Sequence, residues 1–472
     1  MVFSSQIFLF GFLPLALLLC AATQRGPRGL ANGTLAALSY LFYGWSNPPF
    51  VLLMLFSTLV DYGCGHWLAR TSAPRQRRAA VTLSVVTNLS LLGFFKYFNL
   101  GVEGYNGLVD LLGLGHLAWR DVLRVTLPLG ISFYTFQSMS YTIDIYRGNA
   151  QPARSFVDFA CYVSLFSQLV AGPILRFTEV ADQLRSRAYD AGNFARGVAM
   201  LSLGLAKKVL LANPCGLIAD TCFGAEAPHT LDAWIGVLAY SFQIYFDFSG
   251  YSDMAIGLGL LLGFTFPKNF DAPYRSASIS EFWRRWHISL SGFLRDYLYV
   301  PLGGSRRGRR RTYVNLMLVM LLGGLWHGAA PTFVIWGALH GVALVTERAL
   351  GGRPLYAGLP RPVQIALTFV LVSVAWVFFR APDLAAAGDY LARMVGLGEA
   401  GPAAVLAGGV IYQPYTLATL AAAAAITWGG RTSWDWTRTL SPVRAAACLG
   451  AFAAACAVLF TQSYNPFIYF IF

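Results

Sequence analysis

Apolar residues arrive along this chain in repeated blocks of membrane-crossing length, and no other feature limits its fold so sharply. A helix rises about 1.5 Å per residue and the hydrocarbon core is about 30 Å thick, so roughly 20 apolar residues span it. Such blocks stand at 3–21, 31–46, 48–69, 79–97, 124–143, 155–173, 196–213, 231–262 (one long helix or two short), 312–329, 332–350, 362–379, 403–427 and 445–461. Of the 472 residues 56% are apolar and only 12% charged, against about 25% charged in a soluble domain. Too few charges remain to cover a folded chain with solvated surface, so the bilayer is the solvent for much of it. The fold class expected is an all-α polytopic integral membrane protein with about 10–12 transmembrane helices.

The first block is expected to stay uncleaved with its N-terminus outside. Met1–Gln6 carries no positive region, and Arg25 and Arg28 lie beyond the apolar stretch. Arg25/Arg28, Arg70/Arg75/Arg77/Arg78 and Arg147/Arg154 then follow odd-numbered spans and share the cytoplasmic side, with the mixed-charge loop 98–123 outside. The net charge of +13 therefore belongs to flanks beside anionic membrane lipid, and no nucleic-acid partner is expected. The seven cysteines are scattered, with Cys215 and Cys222 flanking a loop as a candidate pair, and no zinc spacing appears. No linker divides the chain, so residues 1–472 read as one membrane-embedded domain, alanine-rich and chemically sparse over 352–472.

Polar residues inside apolar blocks cost free energy, so each needs a partner or a task. They gather between 130 and 341. Tyr134, Gln137, Ser138 and Tyr141 recur at helical spacing in one stripe, serving either as interhelical hydrogen-bonding glue or as the lining of a cavity. Gly172-Pro173 ends a helix. Asp247 stands among aromatics in a long apolar run, with a break expected at Gly250 and Asp253 beyond it; pairing of Asp247 with an arginine is the plain reading. From Ser278 onward, Ser278 and Glu281 have capping-box spacing. Phe282, Trp283, Trp286, Leu290 and Phe293 fill one arc of a continuous helix, and Arg284, Ser291 and Arg295 the other, with His287 at the boundary. That pattern predicts an interfacial amphipathic helix. The basic run Ser305–Arg311 either meets anionic lipid or receives an acidic donor such as coenzyme A.

Two histidines at depth are the most unusual feature. Trp326-His327-Gly328 closes one apolar block, and His340-Gly341 lies in the next, past Pro331. Imidazole exchanges a proton near neutral pH. One intramembrane histidine is ordinarily a hydrogen-bonded structural residue; two, with His287 as a third, point to catalysis or proton handling. The chain has no phosphate-cradling glycine loop, no Gly-x-Ser-x-Gly elbow and no HExxH motif. Transfer chemistry on a histidine base and proton-coupled transport stand level on these grounds.

Longer strings separate them. Asn269-Phe-Asp-Ala-Pro-Tyr274, Glu281-Phe-Trp-Arg-Arg-Trp-His287, Arg295-Asp-Tyr-Leu-Tyr-Val-Pro-Leu-Gly-Gly304 and Leu325-Trp-His327-Gly resemble the membrane-bound O-acyltransferase (MBOAT) family, in its bacterial branch that acetylates exopolysaccharides of the alginate type. Pro128–Gln137, Gln168–Pro173 and Tyr245–Asp253 also match, so the likeness runs in order through about 1–345. The resemblance implies helices around a central funnel, His327 as general base or proton relay deep in a pore, and His287 assisting from the cytoplasmic rim. Trp326, Tyr134, Gln137, Tyr141, Asp247, His340, Arg284 and Arg295 are expected as supporting or pore-lining residues, and the resemblance carries over no role for His340. It implies acetyl-CoA as the acetyl donor, with no bound cofactor or metal, acting in the bacterial inner membrane. It also implies a periplasmic polysaccharide acetyltransferase as partner, with acetyl passing directly or through a covalent intermediate. The alternatives are a transporter or flippase with a histidine proton relay, and a family member acting on a lipid, teichoic acid or protein.

Overall fold

The computed structural model describes residues 1–187, 189–462 and 464–468. The chain forms two compact units: Ile7–Tyr189 with Leu262–Phe264, and Val2–Gln6 with Asp190–Leu261 and the chain from Thr265 onward.

In the first unit a π-helical turn, Ile7–Phe12, leads into α1 (Leu13–Thr23), followed by α2 (Arg28–Gly44), α3 (Pro49–Arg70), α4 (Pro74–Leu111), α5 (Ile131–Arg147), α6 (Phe156–Ser164) and α7 (Phe177–Arg185). A buried polar network joins α3, α4 and α5. Ser84 Oγ and Asn88 Nδ2 donate to the two oxygens of Asp61 at 2.5 and 2.8 Å, Ser57 Oγ donates to Asn88 Oδ1 at 2.8 Å, and the Ser84 and Thr142 hydroxyls meet at 2.7 Å. A carboxylate in an apolar environment is tolerable only when its lone pairs are filled in this way. Gly65 on α3 is required by the Tyr141 ring, which occupies the space a Cβ would need.

The second unit holds α8 (Ala191–Ala206), a π-helical turn at Lys207–Ala212, α9 (Asn213–Gly224) and α10 (Thr230–Leu261). Next come α11 (Ile279–Arg285), α12 (Ile288–Leu294), α13 (Gly308–His327), α14 (Pro331–Ala349), α15 (Arg361–Arg380), α16 (Leu384–Met394), α17 (Pro402–Ile411), α18 (Pro414–Gly429), α19 (Ser433–Trp436) and α20 (Pro442–Thr461). The 231–262 block is one helix, and Gly250 does not break it. A Cβ on Gly250 would lie 2.8 Å from the Gly204 carbonyl oxygen, so this glycine lets α8 and α10 cross closely. Asp247 pairs with a lysine, not an arginine: Lys208 Nζ lies 2.9 Å from Asp247 Oδ1, and Lys207 Nζ 2.6 Å from Asp253 Oδ2. The buried first pair is completed by backbone, since Ile468 N–H donates to Asp247 Oδ2 at 2.9 Å and the Lys208 ammonium donates to the Pro466 carbonyl.

Four helices among the described residues are long and apolar enough to cross a bilayer on those criteria alone: α3, α4, α15 and α20. Other expected spans are interrupted. Block 155–173 holds only the nine-residue α6, and 403–427 is divided between α17 and α18. Helix α4 continues through Leu111, so much of the expected outside loop 98–123 is helical. Cys215 and Cys222 both lie on α9, and all seven cysteines are free.

Candidate active site

The histidine-bearing hairpin is built by glycines. A Cβ on Gly324 would fall on the Phe333 carbonyl oxygen, and one on Gly337 on that of Met320, so α13 and α14 approach to backbone contact. Helix α13 ends at His327, with Gly328 extended as its C-cap, and Pro331 opens α14 at a position where its missing N–H costs nothing. His327 therefore stands at the turn of the hairpin. It is 8% exposed, and its ring lies edge-on to Trp326 at 4.8 Å, Trp336 at 5.2 Å and Phe379 at 5.1 Å between centres.

His340 lies about one turn beyond Trp336 on α14, buried against Trp336 at 5.0 Å and stacked on Phe282 at 6.1 Å. Trp283 Nε1 donates to His340 Nδ1 at 3.3 Å. His327 and His340 thus belong to one aromatic cluster with Trp336 between them.

His287 departs from the expected amphipathic helix. The segment breaks after Arg285: His287 takes left-handed dihedrals (φ 42°, ψ 58°) and becomes the N-cap of α12. This conformation is uncommon for a residue with a Cβ and is held only where the surroundings impose it. Here Asn269 imposes it. Its carbonyl oxygen accepts from Ile288 N–H at 2.9 Å, and its Oδ1 accepts from Ser289 N–H, from Ser289 Oγ and, at 3.3 Å, from His287 Nδ1. Because Oδ1 can only accept, Nδ1 carries the proton of the neutral ring and Nε2 holds the basic lone pair. The ring is fully buried against Phe248, 4.6 Å away, and Phe270, and Trp326 lies at 6.4 Å. Burial lowers its pKa to about 3. His287 is therefore an interior residue reached through Trp326, not one at a helix edge.

A carboxylate that the sequence reading passed over ties these parts together. Glu347 on α14 is buried and accepts from the Ile279 and Ser280 amides at 2.7 and 2.9 Å, capping α11. Ser278 Oγ accepts from Glu281 N–H at 3.0 Å as its spacing predicts, while the Glu281 carboxylate takes the Ala277 amide. Arg284 and Arg295 stand exposed, with Arg295 gripping Asp296 at 2.7 Å. Tyr134, Gln137 and Tyr141 are buried within the first unit: Gln137 Nε2 donates to the Tyr162 carbonyl at 2.7 Å, and Tyr141 OH accepts from Ala153 N–H at 3.1 Å. Asp247 is engaged by Lys208 as described above. Asn269, Trp283, Trp336 and Glu347 were missed as site residues; the signal available was their place inside or beside the histidine strings. No group of histidine, cysteine and carboxylate side chains fit for a metal occurs among the described residues.

The arrangement sets imidazoles among aromatic rings, and imidazole is the side chain best suited to exchange a proton with a hydroxyl. Known proteins carry that reading further. The model of the membrane-bound O-acyltransferase family matches residues 149–357. The probable alginate O-acetylase AlgI of Pseudomonas putida is 44% identical over 499 aligned residues, spanning all of both chains. Its counterpart in Pseudomonas aeruginosa is 48% identical over 401 residues, 84% of this chain and 75% of the other. The peptidoglycan O-acetyltransferase of Helicobacter pylori is 38% identical over 433 residues, 84% of this chain and 80% of the other. This chain belongs to the membrane-bound O-acyltransferase family, and it is a membrane-embedded acyltransferase.

Proposed function

We propose that the protein takes an acetyl group from acetyl-CoA on the cytoplasmic side of the bacterial inner membrane and delivers it outward for O-acetylation of a secreted polysaccharide. A periplasmic acyltransferase is the partner that receives it. The observation that carries this reading is His327, a buried imidazole at the turn of the α13–α14 hairpin, inside a chain alike from end to end to a probable alginate O-acetylase. His327 acts as the general base. The acceptor O–H gives it a proton as the oxygen bonds to the acetyl carbon; the carbon–sulfur bond then breaks and the departing thiolate takes the proton back. The aromatic walls exclude water and so strengthen every hydrogen bond to the reacting atoms. His287, two rings away through Trp326, assists through the orientation of that wall. The Helicobacter pylori relative acts by name on peptidoglycan, so a cell-wall glycan is the second acceptor to test.

The test is the acetyl content of secreted polymer in cells carrying wild-type or His327→Ala protein at matched membrane levels. Loss of acetyl with unchanged polymer yield is expected. Unchanged acetylation in the variant would remove His327 from the chemistry.

A further inference from the structure

Three side chains on α14 are buried with a polar atom that meets no hydrogen-bonding partner among the described residues: Thr332 Oγ1, Trp336 Nε1 and His340 Nε2. None is more than 2% exposed. They recur every fourth residue, which sets them in one row along the helix at steps of about 6 Å. Packing of the hairpin does not account for them. The adjacent row, Phe333, Gly337 and Gly341, carries the contact with α13. A buried polar group left unsatisfied is costly, and three in line call for a reason.

The tautomer of His340 sharpens that reason. An indole N–H can only donate, so Trp283 fixes His340 Nδ1 as acceptor and leaves the ring proton on Nε2. His340 and Trp336 therefore both present N–H donors, on rings centred 5.0 Å apart, and the Trp336 ring lies 5.2 Å from that of His327. A general base beside fixed, dry donors is the pairing acyl transfer needs, because attack of a hydroxyl turns the carbonyl oxygen into an oxyanion.

We propose that Trp336 Nε1–H and His340 Nε2–H bind the carbonyl oxygen of the acyl group in transfer and stabilise the oxyanion. This rests on His327 being the base. In the step, the acceptor oxygen bonds to the acyl carbon as its proton moves to His327, and the carbonyl electron pair shifts onto the oxygen held by the two N–H groups. That pair then reforms the double bond, the bond to the leaving thiolate breaks, and His327 returns the proton to sulfur. Trp283 is a positioning residue that keeps the His340 proton on Nε2.

The experiment uses full-length protein in detergent, with acetyl-CoA as probe and release of free CoA in the presence of a soluble glycan acceptor as readout. Acetylation of polymer in cells is measured on the same variants. His340→Phe keeps the ring without a donor, and His340→Gln restores an amide N–H. We expect His340→Phe to lower kcat about 100-fold with the KM for acetyl-CoA within about twofold. His340→Gln should regain about tenfold of that loss, and Trp336→Phe should lower kcat similarly. Wild-type kcat in His340→Phe, or His340→Gln no better than His340→Phe with both folded, overturns the proposal. If His340→Phe does not fold, Trp336→Phe at full kcat overturns it equally. Wild-type protein that releases no CoA in detergent while its cells acetylate polymer shows that turnover needs the periplasmic partner, and polymer acetyl then decides: loss in His340→Phe with recovery in His340→Gln supports the proposal, and wild-type acetyl in His340→Phe overturns it. His327→Ala with normal acetylation removes the base, and the proposal falls with it.

Discussion

At the scale of single residues, His287 is the side chain whose environment differs most from what its neighbours in sequence imply. Its pKa lies near 3 in the folded protein because burial disfavours the imidazolium, against about 6.5 in an unfolded chain. Between those values the unfolded chain binds a proton that the folded chain refuses. Stability is therefore present above pH 6.5 and declines as pH falls toward 3, by about 1.4 kcal/mol per unit. Thermal unfolding in detergent should show a lower midpoint at pH 5 than at pH 7, and His287→Gln should remove this residue's share of the difference. The same slope in both proteins would mean that the ring is not held neutral. His327 and His287 stand out in the sequence as candidates because the strings that hold them are long. The burial of His287 was not, since helical periodicity gives no sign of a left-handed residue imposed by Asn269, 18 positions earlier.

Between elements, a buried carboxylate and a buried ion pair act as fasteners. Glu347 fills the α11 amides, a charge-assisted contact stronger than a neutral one. Glu347→Ala leaves two buried N–H groups unpaired and should cost about 2–4 kcal/mol, with Glu347→Gln intermediate, read as midpoints of thermal unfolding. The Lys208–Asp247 pair follows a different rule. Removing one partner strands a charge, so Lys208→Met should destabilise by about 3–5 kcal/mol. The double variant Lys208→Met/Asp247→Asn keeps an acceptor for the Ile468 amide and should regain most of that loss. A double variant as unstable as the single would show that the pair itself, not the stranded charge, holds the helices. Sequence periodicity located most helices well, with α3, α13, α14 and α15 lying within a few residues of their apolar blocks. It failed where a break or its absence depends on contact. Gly250 reads as a helix breaker until Gly204 is seen against it, and the run from Ser278 reads as one helix until Asn269 claims the Ile288 amide.

For the whole molecule, composition alone dictated a membrane protein, because 12% charged residues cannot solvate a chain of this size. The number of crossings was harder to read, since polar networks and π-helical turns interrupt blocks that hydropathy alone joins. Orientation is testable. Helix α15 has 20 apolar-rich residues and is about 30 Å long, enough for its ends to reach opposite faces of the membrane. By the positive-inside rule, the basic run before α13 is expected on the cytoplasmic side. In intact spheroplasts of a Cys20→Ser background, a membrane-impermeant maleimide should label Pro382→Cys and spare Arg307→Cys, both exposed positions. Labelling of the reverse pattern would invert the topology.

The cap that Glu347 places on α11 also bears on inheritance. The hairpin carrying His327 and His340 and the stretch 269–289 carrying His287 are far apart as text, yet they share a carboxylate and an indole–imidazole bond. A chimera that imports α13–α14 from a divergent relative without 269–289 breaks both links at once. Recombination within this family is therefore expected to succeed when the crossover falls before Asn269 or after Ala349, and to yield inactive protein when it falls between them.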